Sequence, residues 1–425
     1  MICAMTALCL MGAASAGAQD ATFTAQAENS TLIETALLPV WEGDTAYNET
    51  VLPVQNEYGG IDPITLLYPI EEVISVQNAE MTVTYQKGVD YAVSGGRLII
   101  ADDGNIPTVS YLEFHPTTGQ AGFESIEGGY VCFSEGTWFH ERQIVVTYKH
   151  TAEYNGYLPG GKDYLLSNIK QKLSDKDTID MLVFGDSISV GANSSGFTGI
   201  APFLPTYPEL FKAGLENQYG VTVNLTNPSV GGMGINWGLQ QIDGILSQQT
   251  DLDLAVVAFG MNDGALASNM FAYKANQLVS AIQEKFPTAD VLLVATMLPN
   301  SKAPNYYLNQ ENFADAMLES CEKQGVAVVN MTAMHASLLT KKSYADMTGN
   351  NVNHPNDYLA RVYAQTLLAT LQKQTEDLPE NNVGESAVDT ATRNANGCMA
   401  TVTTIPACAI TTLGAVVILK KKKEK

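Results

Sequence analysis

Apolar and polar residues alternate along this chain with two different periods. Before about residue 150 the runs are short and change at every second position: Met81-Thr82-Val83-Thr84-Tyr85, Arg97-Leu98-Ile99-Ile100 and Gln143-Ile144-Val145-Val146-Thr147-Tyr148, with Gly, Asn and Asp between them. Successive side chains of a strand point to opposite faces, so this pattern predicts an all-β sandwich over residues 20–150. The stretch Tyr154-Asn155-Gly156-Tyr157-Leu158-Pro159-Gly160-Gly161 reads as a connection. Over residues 160–373 apolar strands such as Leu254-Ala255-Val256-Val257-Ala258-Phe259 alternate with helical faces. Phe271, Ala275, Leu278, Val279 and Ile282 share one face; Phe313, Met317, Leu318 and Cys321 share another, with Gly325 as a stop. Such alternation predicts an α/β domain, a parallel sheet with helices on both faces.

Both ends depart from this pattern. Residues 2–11 are apolar but too few to span a bilayer, and Ala16-Gly17-Ala18 gives the small-x-small spacing of a cleavage site; residues 1–18 read as a signal peptide that lacks a basic leading region. Residues 374–397 are polar and read as a stalk. Residues 398–419 carry no charge and are followed by Lys420-Lys421-Lys422-Lys423-Glu424-Lys425, the pattern of a transmembrane anchor with a cytoplasmic basic tail. Pro406 and several threonines weaken that pattern, and a disordered tail is the alternative. Leu378-Pro379-Glu380-Asn381-Asn382 departs from a cell-wall sorting signal at its last two positions. The expectation is an exported protein held at the cell surface.

Charge and cysteine content narrow the partners. The net charge is −22, and since the six terminal residues contribute +4, the rest carries −26. Nucleic acid is excluded as a partner, because phosphate binding needs a basic face. Of six cysteines, Cys3 and Cys9 fall in the signal and Cys398 and Cys408 in the anchor, leaving Cys132 and Cys321 in different segments. Neither a disulfide framework nor a zinc spacing is present, and no metal or cofactor is expected.

Candidate chemistry sits at strand ends. Met181-Leu182-Val183-Phe184 runs into Gly185-Asp186-Ser187, which sets a hydroxyl where an open sheet presents groups to a ligand. A hydroxyl becomes a useful nucleophile only when a base takes its proton, and His354-Pro355 far downstream supplies a candidate. After the next strand comes Asn227-Pro228-Ser229-Val230-Gly231-Gly232, and after the following one Gly260-Met261-Asn262-Asp263. Donors aimed at the oxygen on which charge develops lower the barrier to acyl transfer.

Four blocks in this order resemble the SGNH hydrolases, the GDSL esterases and lipases. The resemblance covers residues 178–373 and implies a flavodoxin-like three-layer αβα domain. It implies Ser187 as nucleophile, His354 as general base, and the amides of Ser187, Gly232 and Asn262 as an oxyanion hole. One block differs. The family places an aspartate three residues before the histidine, and this chain has Asn351. Three readings stay open: Asn351 or a backbone carbonyl orients a Ser-His dyad, Asp346 or Asp357 supplies the carboxylate, or catalysis is impaired. Asp357 also fits the start of the last helix, where its charge complements the helix N-terminus.

An N-terminal β module before such a hydrolase resembles bacterial two-domain carbohydrate esterases. That resemblance implies an esterase removing acetyl or similar short acyl groups from an acylated glycan, to which the two ends of the chain add export and a membrane anchor. A lipase or thioesterase of the same family and a surface glycan-binding protein are the alternatives. Trp41, Tyr130, Trp138 and Phe139 fit a core better than a sugar platform.

Overall fold

The computed structural model describes residues 30–118 and 123–374. The first segment contributes β1 (Thr45–Val51), β2 (Glu72–Asn78), β3 (Tyr91–Ser94), β4 (Arg97–Ile100) and β5 (Ile144–Lys149). β5 lies between β1 and β2, antiparallel to both, and β3 pairs with β4 as a hairpin. Ile144 to Tyr148 are all buried, as suits a central strand. This segment is strand-rich and antiparallel. The expected strand Met81–Tyr85 is a turn with one isolated bridge, Gln77 to Thr84. There the Asn78 side chain accepts from the amides of Thr82 and Val83, and Met81 adopts φ 57°, so the local chain bends before it can pair.

The second segment adds β6 (Thr178–Gly185), β7 (Thr222–Thr226), β8 (Leu254–Ala258), β9 (Asp290–Ala295) and β10 (Ala327–Asn330). They form a parallel sheet in the order β10-β9-β8-β6-β7. Alternate residues feed two cores: Met181, Val183, Leu254 and Val256 pack on one face, Leu182, Phe184, Ala255 and Val257 on the other. Helices Tyr207–Tyr219 and Asp357–Thr370 cover the first face; Ile235–Ser247, Ser268–Lys285 and Phe313–Ser320 cover the second. With both faces covered, the central strand β8 is apolar throughout, while the edge strand β7 keeps Thr222, Asn224 and Thr226 exposed. The chain leaves β6 for β7 on one side and returns to β8 on the other. The crevice of an open α/β sheet opens at such a reversal, beyond the carboxyl ends of the strands.

The two segments share one core. A single cluster runs from Val51, Val76, Val146 and Tyr148 through Tyr358, Leu359 and Tyr363 to Val183 and Val256. Every residue from Tyr358 to Thr370 is buried, so the last helix is enclosed on all sides. Its polar residues bond across the junction. Gln365 donates to the carbonyls of Ala36 and Leu38, both 2.7 Å, and accepts from the amide of Val40, 3.1 Å. Lys342 donates to Glu49 at 2.6 Å and to the Thr50 carbonyl at 2.9 Å; Glu49 also accepts from Tyr148 and the Leu67 amide. Both charged side chains are fully enclosed, at 0% and 1% exposure.

Cys132 and Cys321 are buried free thiols, and Phe139 lies in a core cluster with Trp138 packed against it. Among the described residues no helix is long and apolar enough to cross a membrane. No group of three or more His, Cys, Asp or Glu side chains there is placed to hold a metal ion. The expected signal peptide, transmembrane segment and basic tail, and the stalk from residue 375 on, lie outside the described residues.

Removing one partner of an enclosed ion pair leaves an uncompensated buried charge, at a cost of about 3–5 kcal/mol. Lys342→Met is therefore expected to lower stability by that order in urea unfolding. A midpoint equal to the parent's would contradict the role given to this pair in joining the segments.

Candidate active site

β6 ends at Gly185, where the backbone passes too close to β8 for any side chain: a Cβ here would lie 2.3 Å from the Ala258 carbonyl oxygen and 2.4 Å from Ser189 Oγ. Asp186 then caps a single helical turn, Ser187–Val190, accepting from the Ile188 amide at 3.0 Å. Gly191 ends the turn at φ 91°. Ser187 is thus the first residue of a tight strand-to-helix turn beyond the carboxyl end of β6. Burial pushes the Asp186 carboxyl up to about 7, with the charge of Asp263 adding and backbone hydrogen bonds opposing.

The loop after β7 is tied to this turn. Asn227 Nδ2 donates to the Ser189 carbonyl at 2.8 Å, the Gly185 amide donates to Ser229 Oγ at 2.9 Å, and the Val230 amide donates to the Gly185 carbonyl at 3.2 Å. A Cβ on Gly231 would sit 3.6 Å from Ser187 Cβ, which sets this backbone alongside the serine. Gly232 follows at φ 76° with open space where its side chain would be. After β8, Asn262 lies in the turn Met261–Asp263. Its Nδ2 donates to the Met233 carbonyl at 3.0 Å and its Oδ1 accepts from Tyr306 Oη at 3.2 Å. An amide nitrogen has two hydrogens, so one remains for a further acceptor. Asp263 accepts from the Ile235 amide through both oxygens, at 2.9 and 3.0 Å, and burial pushes its carboxyl up to about 6 against those bonds.

His354 reaches Ser187 from the far end of the chain. Its Nε2 lies 2.9 Å from Ser187 Oγ, and the two residues are 8% and 7% exposed. The loop that carries it is pinned from several sides: Gly349 donates to the His354 carbonyl at 3.0 Å, Asn300 to the Val352 carbonyl at 2.9 Å, and Tyr344 Oη to the same carbonyl at 2.7 Å. Asn350 Oδ1 accepts from the amides of Val352, Asn353 and His354, each at 3.0 Å.

Around Nδ1 stand groups that sequence reasoning missed. Asn193 Oδ1 lies 2.6 Å away, its identity as oxygen fixed because Asn193 Nδ2 donates to the Gly136 carbonyl at 3.1 Å. An oxygen at Nδ1 holds the ring proton there and leaves Nε2 as the acceptor for a serine hydroxyl. Asn350 Nδ2 lies 3.0 Å away and directs its two hydrogens to Asn353 Oδ1 and Glu135 Oε1. Glu135 Oε2 lies 3.3 Å from Nδ1. Asn353 Nδ2 donates to Tyr306 Oη at 2.8 Å, which joins the histidine loop to Asn262. Asn193 stands close behind Ser187 in sequence but in no recognisable pattern, and Glu135 lies in a Ser-Glu-Gly turn of the first segment.

None of the three expected orienting residues touches the imidazole. Asn351 adopts φ 60°, which turns its side chain aside: Nδ2 donates to the Cys132 carbonyl at 3.0 Å and Oδ1 accepts from Asn300 Nδ2 at 3.3 Å. Asp346 caps its own turn with Ser343 and accepts from the Leu52 amide at 2.8 Å. Asp357, in the first turn of the last helix, accepts from the Ser195 amide at 2.8 Å. Each of these carboxylates is committed to backbone donors.

Residues 183–362 match the family model of the GDSL-like Lipase/Acylhydrolase family. No curated protein matches the chain. Among solved structures, a two-domain esterase (CEX) active on acetylated mannans is 16% identical with a TM-score of 0.40, covering 52% of this chain and 58% of that one. The chain therefore spans little more than half the length of that protein. A member of the lipolytic protein G-D-S-L family from Veillonella parvula DSM 2008 is 17% identical with a TM-score of 0.37, covering 45% and 96%. An acetylxylan esterase from Geobacillus stearothermophilus is 13% identical with a TM-score of 0.38, covering 45% and 94%.

The position of Asn351 generates a test. An aspartate there would press a charged oxygen against the Cys132 carbonyl at a site 3% exposed. A lost buried hydrogen bond costs about 1–3 kcal/mol, and a buried charge more. Asn351→Asp, which restores the family pattern in sequence, is expected to lower the thermal midpoint without raising turnover. A variant as stable as the parent and more active would mean that residue 351 faces His354.

Proposed function

We propose that the chain is a serine esterase that removes short acyl groups, acetyl above all, from carbohydrate through a Ser187 acyl-enzyme. The observation that carries the reading is the 2.9 Å contact between Ser187 Oγ and His354 Nε2, with an oxygen facing Nδ1. Ser187 Oγ attacks the ester carbonyl carbon as its proton passes to Nε2, and the carbonyl π pair moves onto oxygen. The tetrahedral oxyanion is received by the amides of Ser187 and Gly232 and the side chain of Asn262, donors already fixed before reaction. Collapse expels the sugar alkoxide, which takes the proton from His354. Water then repeats the sequence on the acyl-enzyme: His354 accepts its proton, hydroxide adds, and the carboxylic acid leaves as Ser187 regains its hydrogen.

The limited exposure of Ser187 and His354, 7% and 8%, favours a small acyl group over a long chain. The surplus of negative charge favours a neutral glycan over a polyanion. Residues 1–18 and 398–419 have the composition of a signal and a membrane anchor, which supports export and retention at the cell surface. Residues 20–150 are proposed as an accessory β domain and 160–373 as the hydrolase domain.

Hydrolysis of p-nitrophenyl esters from C2 to C8 and acetate release from acetylated xylan and mannan test the reading. The expected result is a kcat/KM that falls with acyl length, and a folded Ser187→Ala protein at least about 10³-fold less active. Undiminished turnover by Ser187→Ala would overturn the mechanism, and a preference for C8 would overturn the substrate class.

A further inference from the structure

We propose that Glu135, from the N-terminal segment, is a positioning residue that supplies the negative charge behind His354 which residue 351 does not. The inference rests on the acyl-transfer reading above. Glu135 Oε2 lies 3.3 Å from His354 Nδ1, and Oε1 accepts from Asn350 Nδ2 at 3.1 Å. Asn350 cannot swing away, because its oxygen holds three backbone amides of the histidine loop. The next residue, Gly136, accepts from Asn193, and Cys132 three positions earlier accepts from Asn351. The loop bearing Glu135 is therefore fastened on both sides of the carboxylate, to the ring's neighbour Asn193 and to Asn351 of the histidine loop.

Nδ1 thus faces one neutral and one ionised oxygen, and the two suit different tasks. Asn193, at 2.6 Å, fixes the tautomer before reaction. Once Nε2 takes the serine proton the ring carries a full positive charge, which a neutral amide oxygen stabilises weakly and a carboxylate stabilises by Coulomb attraction. Glu135 accepts no proton in this step; the proton stays on Nε2 until the leaving alkoxide removes it. Burial raises the Glu135 pKa, but the hydrogen bond and charge of His354, with the amides of Asn350 and Asn193, outweigh it and hold the carboxyl below the ordinary glutamate value. It remains ionised across the neutral range. Of the other titratable groups, Tyr344 bonds the Val352 carbonyl of the same loop, Tyr306 is reached through Asn353, and the charges of Asp186 and Asp263 act on Tyr306. Among the described residues Glu135 is the carboxylate paired with His354. Its side chain is 53% exposed, so water screens it, and its effect is smaller than that of an enclosed triad aspartate.

Glu135→Gln keeps size and one acceptor oxygen but removes the charge. In the full chain, with p-nitrophenyl acetate from pH 5 to 9, kcat is expected to fall about tenfold while KM changes less than about threefold. The acid limb of the kcat/KM profile is expected to move to lower pH, because an imidazolium without an anionic neighbour gives up its proton more readily. Glu135→Asp is expected to recover part of the loss, and circular dichroism to match the parent. A Glu135→Gln enzyme with parental kcat and acid limb would overturn the inference. So would a loss confined to KM or stability, the mark of a merely structural loop contact. Ser187→Ala run alongside separates the two failures: if it retains turnover, the underlying mechanism falls; if it is inactive while Glu135→Gln is parental, only the role of Glu135 falls.

Discussion

A serine hydroxyl and an imidazole brought together from positions 167 residues apart must meet at hydrogen-bond distance with the ring in one tautomer. Most of the polar architecture around the carboxyl ends of the sheet serves that requirement. Gly185 allows β6 to press against β8, so that Ser187 turns out at the strand end rather than beneath it. On the other side, the loop from Gly349 to Pro355 has almost no regular structure, and it is held by buried amides in place of a helix or strand. Asn350 fixes its backbone, Asn351 ties it to Cys132, and Tyr344 and Asn300 hold Val352. Fully satisfied networks of this kind specify one conformation more sharply than apolar packing does.

The same constraint explains why the N-terminal segment is built into the α/β core. Its strands close over the last helix, whose residues are buried on every side, and its ion pair and glutamine contacts hold that junction in register. The loop just before β5 is thereby delivered to the histidine, where Gly136 meets Asn193 and Glu135 meets Asn350. A segment whose composition resembles a separate accessory module thus contributes atoms to the candidate site.

Strand-level features were legible where a local pattern carried them. Apolar runs such as Leu254 to Phe259 identify strands covered on both faces, and the glycines and amides at their ends mark a candidate site because each proposed role needs that residue type. The site's electrostatics were not legible, because they depend on contacts between distant positions. Glu135 and Asn350 are 215 residues apart, and neither lies in a motif. Asn351 occupies the position of an acid in sequence, but its left-handed backbone points the side chain elsewhere, which only the loop's tertiary anchoring determines. The polar Gln365 hides the all-round burial of the last helix, since its partners Ala36, Leu38 and Val40 lie in the other segment. At Met81 an Asn-led turn overrode an alternating pattern that locally favours a strand.

The central claim is that His354 activates Ser187 alone among the chain's hydroxyls. The direct measurement is peptide mass spectrometry after treating the full chain with a fluorophosphonate, which forms a stable phosphonyl ester with an activated serine. The account predicts a single label on Ser187, with labelling slowed severely in a folded His354→Ala protein. A label on another residue, or labelling of Ser187 at the parental rate without His354, would contradict it.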